Sequence, residues 1–174
     1  MLSFGKSEDT LITCTLKQDA NHKGRIVRFR PFKYCMKKIL IMGLPGAGKT
    51  TFALKLIDRL GTEQKSFSWY NGDNLRYMYD DWDFSEEGRL RQTQRMAEKA
   101  NIAKENKIYA ICDYVCPKEE YRKIFDADIT IWIDTIKFSR YRDTDQMFEK
   151  PEHYTLRITD FDFDKYIEEI ITHL

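Results

Sequence analysis

Short apolar runs alternate with longer amphipathic stretches through most of this chain. Lys37–Met42 reads Lys-Lys-Ile-Leu-Ile-Met, a short buried strand, and Thr51–Leu60 places Phe52, Leu56 and Leu60 along one side of a helix. Lys65–Tyr70 forms a second strand. A long helix follows over about Glu86–Glu105, with Leu90, Thr93, Ala97 and Ala100 at inward spacings and Ser85 as its cap. Lys107–Asp113 is a third strand, and Pro117 starts a short helix through Phe125. Ile129–Asp134 and Tyr154–Ile158 read as fourth and fifth strands, and a last helix runs through Tyr166, Ile167, Ile170 and Ile171. Strands and helices in alternation predict an α/β fold of three layers, a mostly parallel five-stranded sheet covered on both faces. Ligands then bind beyond the carboxyl ends of the strands.

Residues 1–35 differ in character. Asp19–Gly24 forms a turn between Leu11–Leu16 and Arg25–Phe32, which suits a hairpin or flap whose Arg28 and Arg30 reach phosphate, or else a variable leader. Met36 directly precedes the first core strand and is a conceivable second translation start. The organisation expected is an extension over 1–35 and a catalytic domain over 36–174. At 174 residues and 42% apolar content, one good core is the default. A formal charge of +1, from 29 basic and 28 acidic residues, gives no long-range pull toward nucleic acid or an anionic membrane. Without a bilayer-length apolar run or a secretory leader, the reading is a cytoplasmic protein. Cys14, Cys35, Cys112 and Cys116 lack zinc-ligand spacing, and His22, His153 and His173 are scattered surface residues.

Between the first strand and first helix stands Gly43-Leu44-Pro45-Gly46-Ala47-Gly48-Lys49-Thr50, followed by Thr51. Glycines at this spacing let backbone N–H groups wrap a nucleotide's phosphates, Lys49 reaches the terminal phosphates, and the Thr50 hydroxyl can ligate Mg2+. The expected fold is therefore the P-loop nucleoside-triphosphate-binding type, with ATP and Mg2+ as cofactors. No Asn-Lys-x-Asp guanine-reading motif supports a GTP switch.

The end of the second strand carries Asn71-Gly72-Asp73-Asn74-Leu75-Arg76. Asp73 can orient an acceptor hydroxyl or hold a Mg2+-bound water, and Arg76 can neutralise an acceptor phosphate; the alternative is a polar turn with Asn74 capping the next helix. Trp82 or Phe84 can stack on a base, though Trp82 equally suits the core. Arg89 and Gln92, three apart, share a helix face that can grip phosphate or sulfate or merely be solvated, and Arg91 and Arg95 form another such row. Asp113, ending the third strand, is a second candidate for the Mg2+ shell, with Tyr114 lining the acceptor pocket. Lys137, Arg140 and Arg142 after the fourth strand form either a basic lid or a plain charged helix.

Taken together, these motifs resemble the adenylylsulfate kinase family over roughly residues 37–156. Gly43–Thr51 looks like its glycine loop, Gly72–Arg76 its Gly-Asp-Asn-Val-Arg stretch, and Phe84–Glu87 with Arg89 its Phe-Ser-Glu-Glu-Asp-Arg run. Val115-Cys116-Pro117 stands for Ile-Ser-Pro, and Phe148-Glu149-Lys150-Pro151 for Tyr-Glu-Pro-Pro near the adenine end. The resemblance implies transfer of the γ-phosphate of ATP to the 3'-hydroxyl of adenosine 5'-phosphosulfate, in sulfate assimilation. Lys49 and Asp73 would be catalytic, Phe84 would stack on the acceptor adenine, and Arg76, Arg89 and Gln92 would hold its phosphosulfate with Asn71, Asn74 and Tyr114 around them. Thr50, Asp73 and Asp113 would serve the metal. The partner implied is this small nucleotide, with a homodimer as one assembly. Compact chains of this kind resemble bacteriophage-borne kinases, among which kinases of modified pyrimidine hydroxyls occur.

Three features depart from the family pattern. Asn71 replaces the first carboxylate of Asp-Gly-Asp, and an amide cannot accept a hydroxyl proton. Gln92, Gly88 and Gln94 replace asparagine, aspartate and arginine, and the lid is shortened and rewritten. The alternatives are a kinase of another small hydroxylated metabolite or modified nucleotide, and a non-catalytic nucleotide-binding protein.

Overall fold

The computed structural model describes residues 36–174; the hairpin or flap expected over residues 1–35, with Arg28 and Arg30, lies outside them. Strand β1 (Lys38–Gly43) is buried along its whole length, as a central strand of a two-sided sheet must be. Its alternation decides the layers. Ile39 and Ile41 face a cluster with Phe52, Leu56 and Leu60 of α1 (Lys49–Thr62) and with Phe163, Ile167 and Ile170 of α6 (Phe163–Ile171). Leu40 and Met42 face the other cluster, with Met96, Ala97, Ala100 and Ala103 of α3 (Glu86–Glu105) and Tyr121 and Phe125 of α4 (Glu119–Phe125). The first face is filled by large side chains. The second is approached closely by an alanine stripe. Truncating the fully buried Phe52 to alanine is expected to cost about 3–5 kcal/mol, because packing around it can collapse only partly.

The remaining strands are β2 (Phe67–Asn71), β3 (Tyr109–Asp113), β4 (Ile129–Ile133) and β5 (Leu156–Ile158), in the spatial order β2-β3-β1-β4-β5. Every pairing is parallel, with Ile41 opposite Asp113 and Gly43 opposite Ile133. The mostly parallel sheet expected is thus entirely parallel. Strand order reverses beside β1, and a crevice at the carboxyl ends of β1 and β3 follows from that reversal. Gly43 and Asp113 are the last residues of those two strands.

Two helices depart from the sequence reading. Helix α2 (Gly72–Tyr79) begins one residue after β2, and its cap is Asn71 rather than Asn74: the Asn71 Oδ1 accepts from Asp73 N at 3.1 Å and Asn74 N at 3.0 Å. Helix α5 (Arg142–Met147) is short, with Thr144 as its buried residue. Ser85 caps α3 as expected, its Oγ accepting from Gly88 N at 3.1 Å. No helix among the described residues is long and apolar enough to cross a membrane.

Candidate active site

Backbone geometry shapes the phosphate loop. Gly48 sits at φ 97°, a left-handed conformation costly for other residues, and a Cβ there would also lie 2.8 Å from the Phe163 ring. Gly48 caps α1 without a side-chain hydrogen bond, so the N–H groups of the first turn face the cleft unclaimed by a side chain. Thr135 Oγ1 donates to Ala47 O at 2.7 Å and ties the loop to the end of β4. Lys49 Nζ donates to Leu44 O at 2.9 Å, folded back over the loop. Burial lowers its pKa to about 8 against the opposing pull of Asp113 and Asp73. An anion beside it would restore the ordinary value.

Asp113 is the hub at the carboxyl end of the sheet, 1% exposed. Its Oδ2 accepts from Thr50 Oγ1 at 2.7 Å and Asn71 Nδ2 at 2.8 Å, and its Oδ1 accepts from Trp69 Nε1 at 2.6 Å. Burial raises its pKa, opposed by these donors and by Lys49. Asn71 uses both ends of its amide, capping α2 through oxygen and holding Asp113 through nitrogen. An aspartate could supply the first contact but not the second.

Across the cleft, Arg76 and Arg89 are buried beside the half-exposed ring of Phe84, with guanidinium carbons 4.6 and 5.7 Å from its centroid. Arg76 Nη1 donates to Asp81 O at 2.9 Å and Asp83 O at 2.8 Å, pinning the loop between α2 and α3. Arg89 Nε donates to Phe84 O at 2.9 Å and Nη2 to Thr144 Oγ1 at 2.8 Å, which links α3 to α5. Burial lowers the pKa of Arg76, with the Arg89 charge acting in the same direction. Two buried cations this close favour an anion between them. Gly88 is needed where it stands: a Cβ there would lie 2.3 Å from Asp83 O, so this loop has no room for an aspartate.

These groups surround one cleft of about 680 Å³, a size suited to a nucleotide-like ligand. Pro45, Gly46, Gly48, Lys49, Thr50 and Thr51 line one side. Asn71, Asp73, Arg76, Phe84, Arg89 and Gln92 line the other, and Asp113, Tyr114 and Arg140 complete it. Gly43, Leu44 and Ala47 are buried beneath the loop. Three further expected residues also lie off the cleft wall. The Asn74 side chain is exposed on α2, and Lys137 and Arg142 are exposed around the start of α5, so only Arg140 of the basic trio lines the cleft. Arg91 pairs with Asp81 and Asp83, and Arg95 with Asp81, so this row anchors the α2–α3 loop. Trp82 lines the cleft half-exposed, tilted against Phe84 at 6.5 Å, instead of joining the core.

Sequence reasoning gave no site role to Trp69, Thr93, Cys116, Arg122 and Thr144. Burial pushes the Cys116 thiol up to about 12, so this cleft cysteine is a neutral group. Arg122 donates to Cys116 O at 2.9 Å and Glu149 O at 2.8 Å, bracing the wall after β3. Its available signal was Glu119 one turn earlier, which pairs with Nε at 2.8 Å.

The profile of the family described as adenylylsulphate kinase matches residues 36–162. The probable adenylyl-sulfate kinase of Aeropyrum pernix is 34% identical over 94 residues, 52% of this chain and 51% of that protein. The adenylyl-sulfate kinase of Penicillium chrysogenum is 32% identical over 91 residues, 51% of this chain and 42% of that protein. The chain spans about half the length of the curated relatives it matches. Among solved structures, the Mycobacterium tuberculosis APS kinase in complex with AMPPNP and APS superposes with a TM-score of 0.67 at 20% identity, covering 79% of this chain and 96% of that one, a likeness of fold. The fold is the P-loop type that the glycine loop predicts, and the match across most of the described residues places this chain in the adenylylsulphate kinase family.

Proposed function

We propose that this protein transfers the γ-phosphoryl group of ATP to the 3'-hydroxyl of adenosine 5'-phosphosulfate. One observation carries the reading: a single cleft joins a phosphate-binding loop to a second, cationic and aromatic side built from Arg76, Arg89 and Phe84. A phosphotransferase needs these two halves facing each other, since donor and acceptor must meet in line. Lys49 and the loop N–H groups would hold the β- and γ-phosphates, and Lys49, freed from Leu44 O, would stabilise charge on the transferring group. Arg76 and Arg89 would take the acceptor's phosphosulfate while Phe84 stacks on its base.

The Thr50 hydroxyl and Asp113 carboxylate, 2.7 Å apart, form an all-oxygen donor set that suits Mg2+. Bound there beside the phosphates, the ion would neutralise negative charge on the β- and γ-oxygens. Asp73 lines the cleft as an exposed carboxylate and would receive or orient the acceptor's hydroxyl proton.

The replaced first carboxylate favours one other reading, a kinase of a different small hydroxylated acceptor, because Asn71 spends both ends of its amide on the protein. The test is transfer of labelled γ-phosphate from ATP to adenylylsulfate in Mg2+, with Lys49→Ala as control. Lys49-dependent 3'-phosphoadenylylsulfate is the expected product. Folded, ATP-binding protein that yields none would turn the search to other hydroxyl acceptors.

A further inference from the structure

We infer that Gln92 makes the acceptor pocket demand a neutral hydrogen-bond donor from its ligand; the inference rests on the reading of this side of the cleft as the acceptor site. Gln92 is 3% exposed on α3, one turn beyond Arg89, and it lines the cleft. Its Nε2 donates to Gly72 O at 2.9 Å in a buried contact. A carbonyl can be met only by a donor, so this contact fixes which way round the amide lies. The other end, Oε1, is buried and has no hydrogen-bond partner among the described residues.

Such an atom is costly to leave unmet. Thr93 Oγ1 and Tyr114 OH are also buried on the cleft wall, where the tyrosine hydroxyl lies within reach of both Thr93 and the Cys116 thiol. Hydroxyls can turn to give or to accept. Gln92 Oε1 can only accept, which makes it the discriminating atom of the three. A phosphoryl or sulfuryl oxygen has only lone pairs to offer and would oppose it. Those oxygens belong instead to the guanidinium N–H groups that hold no protein acceptor among the described residues, Nε and Nη2 of Arg76 and Nη1 of Arg89. The pocket therefore divides its ligand into an anionic part at the arginines and an O–H or N–H group at Gln92. In adenylylsulfate three groups qualify: the amino group of the base, the ribose 2'-hydroxyl and the ribose 3'-hydroxyl.

Equilibrium binding to the full chain, with the donor site saturated by ADP and Mg2+, separates these sources. The probes are adenosine 5'-phosphosulfate and its purine-riboside, 2'-deoxy and 3'-deoxy counterparts, each lacking one donor. One analogue is expected to bind at least about 10-fold more weakly than the parent, the size of one buried acceptor left unmet. In Gln92→Met, which keeps length and bulk, that selective loss should shrink to less than about threefold; a purely structural role for Gln92 would weaken all four probes together. If Gln92→Met does not fold, the analogue series on the unsubstituted protein still decides, because a flat series leaves no ligand donor for Gln92 to select. Tight parent binding with a flat analogue series, or a selective loss that survives in Gln92→Met, overturns this inference alone. Absence of parent binding removes the adenylylsulfate reading and this inference with it.

Discussion

The two walls of the cleft are built by different means. On the phosphate-loop side, the buried strands β1 and β4 present a loop whose conformation is set by glycine, and the ligand-facing groups are largely backbone N–H. On the acceptor side, every residue of β2 is only half-buried, α2 exposes Tyr77 and Met78, and the wall is held in place by side chains reaching backbone carbonyls and carboxylates. A backbone-built wall recognises what all nucleoside triphosphates share. A side-chain-built wall can be rewritten residue by residue without disturbing the sheet, and the departures at Asn71, Gly88 and Gln92 all fall there.

The largest expected effect tests whether the loop side is built for function at a cost to the fold. Lys49→Ala should lower kcat about 10²–10³-fold, as loss of one preorganised charge-stabilising donor does. Stability should respond in the opposite sense. The folded pKa of Lys49, about 8, lies below its ordinary 10.5, so the protonated side chain weighs against the fold below that window, and the penalty fades as pH rises from about 8 toward 10.5. Thermal melting at pH 7 should therefore show no loss for Lys49→Ala. A clear drop would mean that the Leu44 O contact matters more to the loop than burial of the charge.

On the acceptor side function and fold should fall together. Arg89 reaches Phe84 O, Thr144 and Asp143 while lining the cleft, so Arg89→Ala should weaken acceptor binding about 10–100-fold and lower the melting temperature as well. ATP affinity should stay within about twofold, since one wall is removed and the other kept. Equal losses for both substrates would erase the contrast between the walls.

The same division explains what the sequence discloses. The phosphate loop is legible because its backbone torsions admit only glycine at fixed spacings, and the five strands because alternation in Ile39–Met42 sends side chains to two different helical layers. The start of α2 is not. Asn71-Gly72-Asp73-Asn74 offers several residues able to cap a helix, and the choice falls to Asn71, whose amide also bonds Asp113, a residue 42 positions away. Trp69 reads as an ordinary strand aromatic until its indole N–H is found on Asp113. Spacing puts Arg89 and Gln92 on one face, but only packing against α5 and Gly72 buries them. A run of basic residues carries no direction, which is why sequence could not tell that Arg140 lines the cleft while the exposed Lys137 and Arg142 do not.

The smallest predicted effect probes the one point where the walls meet. Asn71→Asp restores a carboxylate at the end of β2 but removes the donor that holds Asp113 at 2.8 Å and sets two like charges against each other. Without divalent metal the variant should melt about 2–4 °C lower than the parent, corresponding to about 1 kcal/mol. Millimolar Mg2+ should return most of that loss and stabilise the variant more than the parent, because a cation between two carboxylates replaces the amide's N–H with a stronger tie. If Mg2+ stabilises both equally, Asn71 does not stand in for a charge. The amide would then matter as the cap of α2, and Asn71→Ser, which can cap but is too short to reach Asp113, should match the parent.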